Sequence, residues 1–479
     1  MLYFQPVNKY FSGIIWLCLL LPTIVKAQQN GDVLETGTLS NDRFVEKIHW
    51  AGTEQNYVLI SYPKNYDPKN LYHINFWFPG TAGIPGPGIE NENDQYIGIL
   101  VSYLTAPYAT NQENAIRHWA YCNEIEKTFQ KRKPTKIGQR VVSGVSKGGW
   151  MAFFMSLESP KGLDGTVIIA AGRETSAEKA PDMQRSNLSV MVATGETDPN
   201  YPYAQLADPF FKKAKLRDYT YEEWLGEGHI STISPRVQEW LNVMAKRSEP
   251  KEVFVKYCEA ESSATWEKIK KLPNEVDQYK AARLLINSPA MLHVTPEFRA
   301  KLADWGKDLA SKDKVKAWLS EYAKLREILK IELKQYETRN LEVDTMTKIE
   351  NKYQQLAETA QHEDIRTRAA YAYVRNRKVV TMLGLQKESK KDPAFVLLED
   401  QFNDLHEQMK KMTGNDEDLI SRYKKAYMDV RGEHTKLLMD SFYKVEWQKK
   451  FTLDAKMEQL LKKPTEKYPL STAYSGVGY

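Results

Sequence analysis

The feature that most constrains this chain is a Gly-x-Ser-x-Gly motif set between a predicted strand and a predicted helix. Residues 140–145 are rich in β-branched side chains, Gly-Val-Ser-Lys-Gly occupies residues 144–148, and residues 150–157 are mainly apolar. Glycine is needed on both sides of the serine because such a turn is too tight for Cβ atoms. The pattern predicts a sharp turn that exposes the Ser146 hydroxyl next to the backbone N–H of Lys147. The amino terminus of the following helix adds partial positive charge there.

Length and charge set the broad class of the chain. At 479 residues it is longer than one typical hydrophobic core, so we expect two or three domains. The 67 basic and 62 acidic residues nearly balance and leave a formal net charge of +5. The basic residues form no block interleaved with aromatic side chains, so the sequence gives no support to nucleic-acid binding.

The amino terminus has the pattern of an export signal. Lys9 supplies a positive charge, residues 11–25 are mainly apolar, and residues 25–27 (Val-Lys-Ala) fit a small-residue cleavage site. We therefore expect residues 1–27 to be a signal peptide and the mature chain to be periplasmic or extracellular. The apolar run is too short and interrupted to predict a stable membrane span after cleavage. An uncleaved anchor is the alternative.

Cysteine usage does not indicate a disulfide-rich scaffold. Beyond the predicted signal peptide, Cys122 and Cys258 remain. They form either one bridge or two buried thiols, and the sequence leaves both alternatives open.

Residues 42–246 alternate short β-rich runs with helical or loop segments. Residues 44–50 and 57–62 predict antiparallel opening strands. Further strands are predicted at residues 74–78, 97–103, 140–145, 165–171, 188–194 and 219–225, and helices at 111–130 and 234–244. This alternation predicts an α/β domain with a mostly parallel sheet covered by helices. In such sheets, functional sites form beyond the carboxyl ends of the strands.

Composition changes near residue 248, and glycine is rare from there onward. Between Gly306 and Gly384 the chain has neither glycine nor proline, and apolar residues recur at helical spacing. This pattern predicts long amphipathic helices, so we expect residues 250–479 to form a separate all-α region. A second helical set is predicted over residues 393–462, followed by an irregular tail.

Two interpretations of this helical region remain open. It is either an appendage that packs on the rest of the chain or on itself, or a domain that mediates self-association or presents substrate. We expect no chemistry from it, so truncation near residue 248 is expected to leave turnover intact.

A serine hydroxyl is a weak nucleophile until a base takes its proton, so the α/β region must also supply a histidine and an orienting carboxylate. His229 is the candidate base because it follows the last predicted strand in Gly-Glu-Gly-His, although an ordinary loop histidine is the alternative. Asp198, on a turn after the strand at 188–194, is the candidate carboxylate. Glu196 is the alternative candidate for the carboxylate. A third possibility left open by the sequence is that Asp198 only caps the turn. The region's other histidines lie in or before early strands or in mid-helix: His49, His73 and His118.

Residues 42–246 resemble an α/β-hydrolase of the esterase and polyhydroxybutyrate-depolymerase-like kind. The resemblance rests on four motifs in sequence order: Phe78-Pro79-Gly80-Thr81, the Ser146 turn, Gly195-Glu196-Thr197-Asp198 and Gly228-His229. The order serine, aspartate, histidine is that of this family's triad. The resemblance implies that Ser146 attacks a carbonyl carbon, that His229 acts as base and then acid, and that Asp198 orients the imidazole.

The resemblance also implies an oxyanion hole. One donor would be the backbone N–H of Lys147, and the other an N–H from the Gly80–Thr81 loop. The chain departs from the family here, because Pro79-Gly80 replaces the usual His-Gly and leaves the second donor's identity open. We expect the Lys147 side chain to point away from the site.

By this resemblance the chain is an exported serine esterase that cleaves a carboxylic ester through an acyl-enzyme. The expected substrate is a small-molecule or polysaccharide-linked ester, with Trp77, Trp150 and Trp224 as candidate cleft residues or, alternatively, core residues. A serine peptidase of the same fold and a catalytically idle binding module are the alternative functions. No metal or cofactor is expected, because the chain has no His-x-x-x-His, Cys-x-x-Cys or phosphate-loop pattern.

Overall fold

The structure is a computed structural model of the chain. It describes residues 29–39, 42–53, 55–80, 93–104, 112–173, 184–224, 229 and 235–410, with short stretches between 418 and 433. The predicted signal peptide, Thr81, Gly228 and the predicted carboxyl-terminal tail lie outside the described residues.

Within these residues, nine strands form one sheet in the order β1-β2-β3-β5-β4-β6-β7-β8-β9. The strands are β1 Val33–Thr38, β2 Phe44–His49, β3 Tyr57–Ser61, β4 Leu71–Phe78, β5 Tyr96–Leu100, β6 Lys136–Val145, β7 Gly165–Ile169, β8 Gln184–Gly195 and β9 Lys215–Trp224. The first three strands and the β3–β5 pair are antiparallel, and every other neighbouring pair is parallel. The predicted mostly parallel sheet with antiparallel opening strands is confirmed.

Strand β1 lies before residue 42, where the sequence pattern placed the start of the α/β region. Each of its residues is exposed, so no alternation of apolar and polar side chains marks it in the sequence. It is defined by its antiparallel pairing with β2, in which Thr38 lies opposite Phe44. This edge strand is therefore formed through its pairing with β2, and the local sequence pattern does not predict it.

Helices cover both faces of the sheet. Those of the α/β region are α1 Gln112–Arg132, α2 Lys147–Glu158, α3 Tyr201–Lys213 and α4 Pro235–Lys246. Neighbouring residues of β6 face opposite sides, as the pleat requires. Val142 packs in the core that includes residues of α1, α2 and α3, and Val141 packs in the core that includes Trp240 of α4. Burial on both faces explains why the central strands are nearly continuous apolar runs.

An all-α region follows the sheet, as predicted. Its helices are α5 Lys251–Lys270, α6 Glu275–Ile286, a short 3-10 helix Ala290–Leu292, α7 Pro296–Ser311, α8 Asp313–Glu337, α9 Val343–Thr359, α10 Glu363–Ser389 and α11 Pro393–Lys410. Thr295 caps α7 by accepting a hydrogen bond from the N–H of Phe298. Among the described helices, none combines the length and apolar character needed to cross a bilayer.

The helical region packs directly on the α/β region. Leu206 of α3 belongs to one hydrophobic core with Trp318 of α8 and Tyr353 of α9. The ring centroids of Tyr203 and Tyr336 lie 5.3 Å apart across the same contact. The helical region therefore lies against the helix that follows β8.

Cys122 and Cys258 are both buried and neither forms a disulfide. Cys122 is a residue of α1 and packs in the core between that helix and the sheet, whereas Cys258 of α5 packs in a separate core. Of the two alternatives left open by the sequence, the structure has two buried thiols.

Candidate active site

Ser146 occupies a strained turn between β6 and α2. Its backbone has φ 55° and ψ −117°, a conformation that non-glycine residues rarely adopt. The Ser146 N–H donates to the carbonyl oxygen of Ile169 at 2.9 Å, and its own carbonyl oxygen accepts from the Trp150 N–H at 2.9 Å. The neighbouring strand and the first turn of α2 thus fix the serine from both sides.

The motif glycines are required by close backbone contacts. A Cβ on Gly144 would lie 2.2 Å from the carbonyl oxygen of Gly148, and a Cβ on Gly148 would lie 2.0 Å from that of Phe78. Both distances are far below van der Waals contact, and the atoms met belong to backbone that cannot rotate away. The turn accepts only glycine at these two positions.

A serine on a strained turn between a central parallel strand and a helix is the nucleophile elbow of one fold family. The chain has the α/β-hydrolase fold. Ser146, Asp198 and His229 follow β6, β8 and β9 of this α/β-hydrolase sheet. Because β6 to β9 are parallel neighbours, these three residues follow strand ends at the same edge of the sheet.

Asp198 and His229 are brought into direct contact. The Nδ1 nitrogen of His229 lies 3.0 Å from Oδ2 of Asp198. Since an ionised carboxylate can only accept, Nδ1 carries the proton and donates it, and Nε2 is the nitrogen left to take a proton from a nucleophile. The Asp198 side chain is 0% exposed, whereas that of His229 is 43% exposed.

The turn that carries Asp198 is fixed by two hydrogen bonds of Asn200. Oδ1 of Asp198 accepts a hydrogen bond from the backbone N–H of Asn200 at 2.7 Å. The Asn200 side chain in turn donates to the carbonyl oxygen of Ala170 at 2.8 Å, which ties the turn to the end of β7. Sequence reasoning did not identify Asn200, although Asp-Pro-Asn at residues 198–200 consists of residue types that favour turns.

The carboxylate also changes the acid–base behaviour of the histidine. The hydrogen bond to Asp198 raises the pKa of His229 above its ordinary value, with partial burial opposing and the negative charge of Asp198 reinforcing the shift. Asp198 therefore stabilises an imidazolium, the state that a general base reaches after it takes a proton.

Glu196, the alternative candidate carboxylate, has hydrogen-bond partners other than His229. Its side chain is buried, and Oε1 accepts from Nε of Arg368 at 2.9 Å. Its backbone carbonyl oxygen accepts from a guanidinium nitrogen of Arg375 at 2.8 Å. His229 contacts Asp198, whereas Glu196 joins the turn to helix α10.

Two of the three predicted oxyanion-hole residues, Lys147 and Gly80, lie next to the serine. Lys147 is the first residue of α2, and Gly80 is close enough that a Cβ on it would lie 3.6 Å from Cβ of Ser146. The Tyr103 hydroxyl donates to the carbonyl oxygen of Pro79 at 2.6 Å. That bond fixes the peptide whose N–H belongs to Gly80, so a side chain that sequence reasoning missed orients the unusual Pro-Gly loop.

The Lys147 side chain has a separate role. Its ammonium lies 3.9 Å from the centroid of the Tyr103 ring, which is cation–π geometry. This contact agrees with a backbone contribution from Lys147 to the site and not a side-chain base.

The three candidate cleft tryptophans have different environments. Trp77 and Trp224 are 5% and 8% exposed and belong to the core on the α4 side of the sheet. Of the two roles that the sequence left open for these two residues, the structure has the core role, because both are buried against the sheet. Trp150 is half-buried, and its ring centroid lies 5.3 Å from that of Tyr203, so it stays a candidate.

The other histidines of the α/β region do not join the site. His73 is buried, and its Nδ1 accepts from the N–H of Gln139 at 3.0 Å. His118 is buried in α1, where Nδ1 donates to the carbonyl oxygen of Asn114 and Nε2 accepts from the N–H of Leu104. His49 lies in β2.

No family model matches the sequence, and no curated protein matches it either. Solved structures match part of the chain. The feruloyl esterase module from Clostridium thermocellum is 12% identical, over 43% of this chain and 90% of that one, with a TM-score of 0.29. A siderophore hydrolase from Aspergillus nidulans is 14% identical, over 43% and 95%, with a TM-score of 0.32. An S-formylglutathione hydrolase from Agrobacterium tumefaciens is 12% identical, over 45% and 99%, with a TM-score of 0.34. Likenesses this distant carry no argument about function, and the fold is defined by the chain's own topology.

Proposed function

We propose that this α/β-hydrolase is an exported serine esterase that cleaves carboxylic esters through an acyl-enzyme. The observation that supports it best is the hydrogen bond between His229 and the buried Asp198, formed at the edge of the sheet where Ser146 occupies its strained turn. A charged carboxylate without solvent exposure is costly unless it is paired, so this pair fits a functional role. The export part of the proposal rests on the sequence of residues 1–27.

The proposed reaction has two halves. Oγ of Ser146 attacks the ester carbonyl carbon while Nε2 of His229 takes the hydroxyl proton, and Asp198 stabilises the imidazolium formed. The tetrahedral oxyanion accepts hydrogen bonds from the N–H groups of Lys147 and of the Gly80–Thr81 loop. The imidazolium then returns its proton to the leaving alcohol, and the Ser146 acyl ester remains.

Deacylation reverses these roles with water as the nucleophile. Nε2 of His229 takes a proton from water, the hydroxide attacks the acyl carbonyl carbon, and the imidazolium protonates Oγ of Ser146 as it leaves. The products are the alcohol and the carboxylic acid, and the enzyme returns to its starting state. A small-molecule or polysaccharide-linked ester fits this chemistry.

A fluorophosphonate probe and a short-chain aryl ester test the proposal in the full chain. The wild type is expected to form a covalent adduct and turn over the ester, and Ser146→Ala is expected to lose both, with kcat lower by at least about a thousandfold. Ser248→Ala, at an exposed position after α4, is the matched control and should behave as wild type.

Two results would contradict the proposal, and each would favour one of the two alternative functions. Absence of both labelling and turnover in the wild type would favour a catalytically idle binding module. Labelling at Ser146 with cleavage of peptides but not of esters would favour a serine peptidase.

A further inference from the structure

Two arginines of helix α10 hold the turn that carries Asp198. We name residues 195–200 the acid turn. Nε of Arg368 donates to Oε1 of Glu196 at 2.9 Å, and a terminal nitrogen of Arg375 donates to the Glu196 backbone carbonyl oxygen at 2.8 Å. Glu196 lies two residues before Asp198. The acid turn is therefore bound through both its backbone and a side chain by a helix distant in sequence.

Arg375 is itself held rigidly. Its guanidinium donates two hydrogen bonds to the Glu332 carboxylate, at 3.2 and 2.7 Å, and the two side chains are 1% and 0% exposed. The Tyr353 hydroxyl donates to the same carboxylate at 2.7 Å. A buried pair with this many hydrogen bonds has a single preferred geometry. Arg375 thus links the acid turn to a hydrogen-bonded cluster on helices α8 and α9, so the position of these helices constrains that of the turn.

Arg375 also reaches the far side of the acid turn. Its guanidinium carbon lies 4.4 Å from the centroid of the Tyr201 ring. Tyr201 begins α3, and its N–H donates to the Asp198 carbonyl oxygen at 3.0 Å. Arg375 therefore contacts residues on both sides of Asp198.

Arg368 bonds residues at the ends of two strands, β8 and β9, which are followed in the chain by the proposed acid and the proposed base. While Nε bonds Glu196 after β8, a terminal nitrogen donates to Oε2 of Glu223 in β9 at 2.7 Å. Glu223 lies near the end of the strand that leads toward His229. One side chain of α10 therefore fixes the spacing between the chain segments leading to Asp198 and His229.

The space beside this cluster is small. A cavity of about 10 Å³ lies beside it and is lined by Glu196, Tyr201, Tyr322, Arg326, Arg368 and Arg375, among others. That volume is about the space of one water molecule. The guanidinium groups of Arg368 and Arg375 donate hydrogen bonds to carboxylates and to a backbone carbonyl oxygen, so these two side chains are suited to positioning.

We propose that Arg368 and Arg375 are positioning residues of the active site, and that the helical region places Asp198 for its hydrogen bond with His229. This inference rests on the proposed function, because it concerns the same triad. It also reverses the expectation that the helical region has no part in turnover.

The test compares full-length Arg368→Gln and Arg375→Lys with wild type. Arg377→Gln is the matched control, because Arg377 lies on the same helix but pairs with Glu350 of α9 at 2.6 Å, inside the helical region. For the two positioning variants kcat toward the aryl ester is expected to fall up to about a hundredfold, as for a misplacement near 1 Å, with little change in KM. Arg377→Gln is expected to keep the wild-type kcat.

A second readout is independent of turnover. The pKa of His229 is measured by an NMR titration of its imidazole in each variant. A displaced Asp198 lowers the pKa of His229 in Arg368→Gln and Arg375→Lys, and a general loss of stability does not; Arg377→Gln should leave it unchanged. Since Arg375→Lys loses hydrogen bonds to a buried carboxylate and is at risk of misfolding, Arg368→Gln decides the outcome in that event.

The results separate the two proposals. Folded Arg368→Gln with wild-type kcat and a wild-type His229 pKa would overturn the positioning role even if the wild type is a working esterase. If the wild type neither reacts with the probe nor turns over ester, the proposed function fails, and the NMR titration still decides whether α10 positions Asp198.

Discussion

Nδ1 of His229 and Oδ2 of Asp198 lie 3.0 Å apart although 31 residues separate them in the chain. The two residues meet because β8 and β9 are parallel neighbours, from Gln184 opposite Lys215 to Gly195 opposite Trp224. The acid turn begins where β8 ends, and its Glu196 N–H donates to the carbonyl oxygen of Trp224 at 3.0 Å. The sheet therefore brings the proposed acid to the proposed base, and the arginines of α10 keep it there.

The pH dependence of esterase turnover is expected to depend on the hydrogen bond between Asp198 and His229. The base must be neutral to take the serine proton, so kcat/KM is expected to fall as pH drops through the pKa of His229. Because Asp198 raises that pKa, the acid limb of the profile should have its midpoint above the ordinary histidine value of about 6.5. The profile is measured with an uncharged ester. A midpoint clearly below the ordinary value would contradict this pairing.

Replacing the carboxylate tests its role directly. Asp198→Asn keeps the size of the side chain but removes the charge and favours the wrong imidazole tautomer, so kcat should fall by about ten-thousandfold. The circular dichroism spectrum should be unchanged. Asp304→Asn is the control, because it removes an exposed carboxylate paired with Lys307 at 2.9 Å and should not alter kcat. Near-normal turnover in Asp198→Asn would remove Asp198 from the mechanism.

The oxyanion loop is expected to depend on one hydroxyl. Tyr103→Phe removes the hydrogen bond to Pro79 but keeps the ring under the Lys147 ammonium. We expect kcat to fall about tenfold with KM unchanged, which is less than the 10² to 10³ lost with an oxyanion donor itself. Steady-state kinetics on the aryl ester measures the effect. A change in KM alone would mean that the hydroxyl serves substrate binding.

The glycine after the elbow is expected to be essential for folding. Gly148→Ala places a Cβ 2.0 Å from the Phe78 carbonyl oxygen, so the free energy of unfolding should fall by about 3 kcal/mol or more. Urea denaturation measures it. Gly37→Ala in β1 is the control, since no atom lies within 4 Å of its added Cβ. Equal stability of the two variants would refute the packing argument.

Local patterns predicted much of the α/β region because each strand and helix carries its own signal. The predicted strand at residues 74–78 lies within β4, and the predicted helix at 111–130 matches α1 closely. β1 escaped prediction because its exposed residues have no periodic burial to detect. The sequence left the roles of Trp77 and Trp224 open for a related reason, because a large aromatic residue at a strand end is compatible with both a core and a cleft.

The sequence by itself determined the elbow. The pattern of residues 140–157 and the steric demand for glycine beside Ser146 are local, so they can be read without knowing the fold. Tertiary structure alone decided that His229 pairs with Asp198 and not Glu196, because that choice depends on strand register and on Arg368 and Arg375. Those arginines lie 172 and 179 residues beyond Glu196 in the chain, and no spacing rule links a helix to a turn at such a separation.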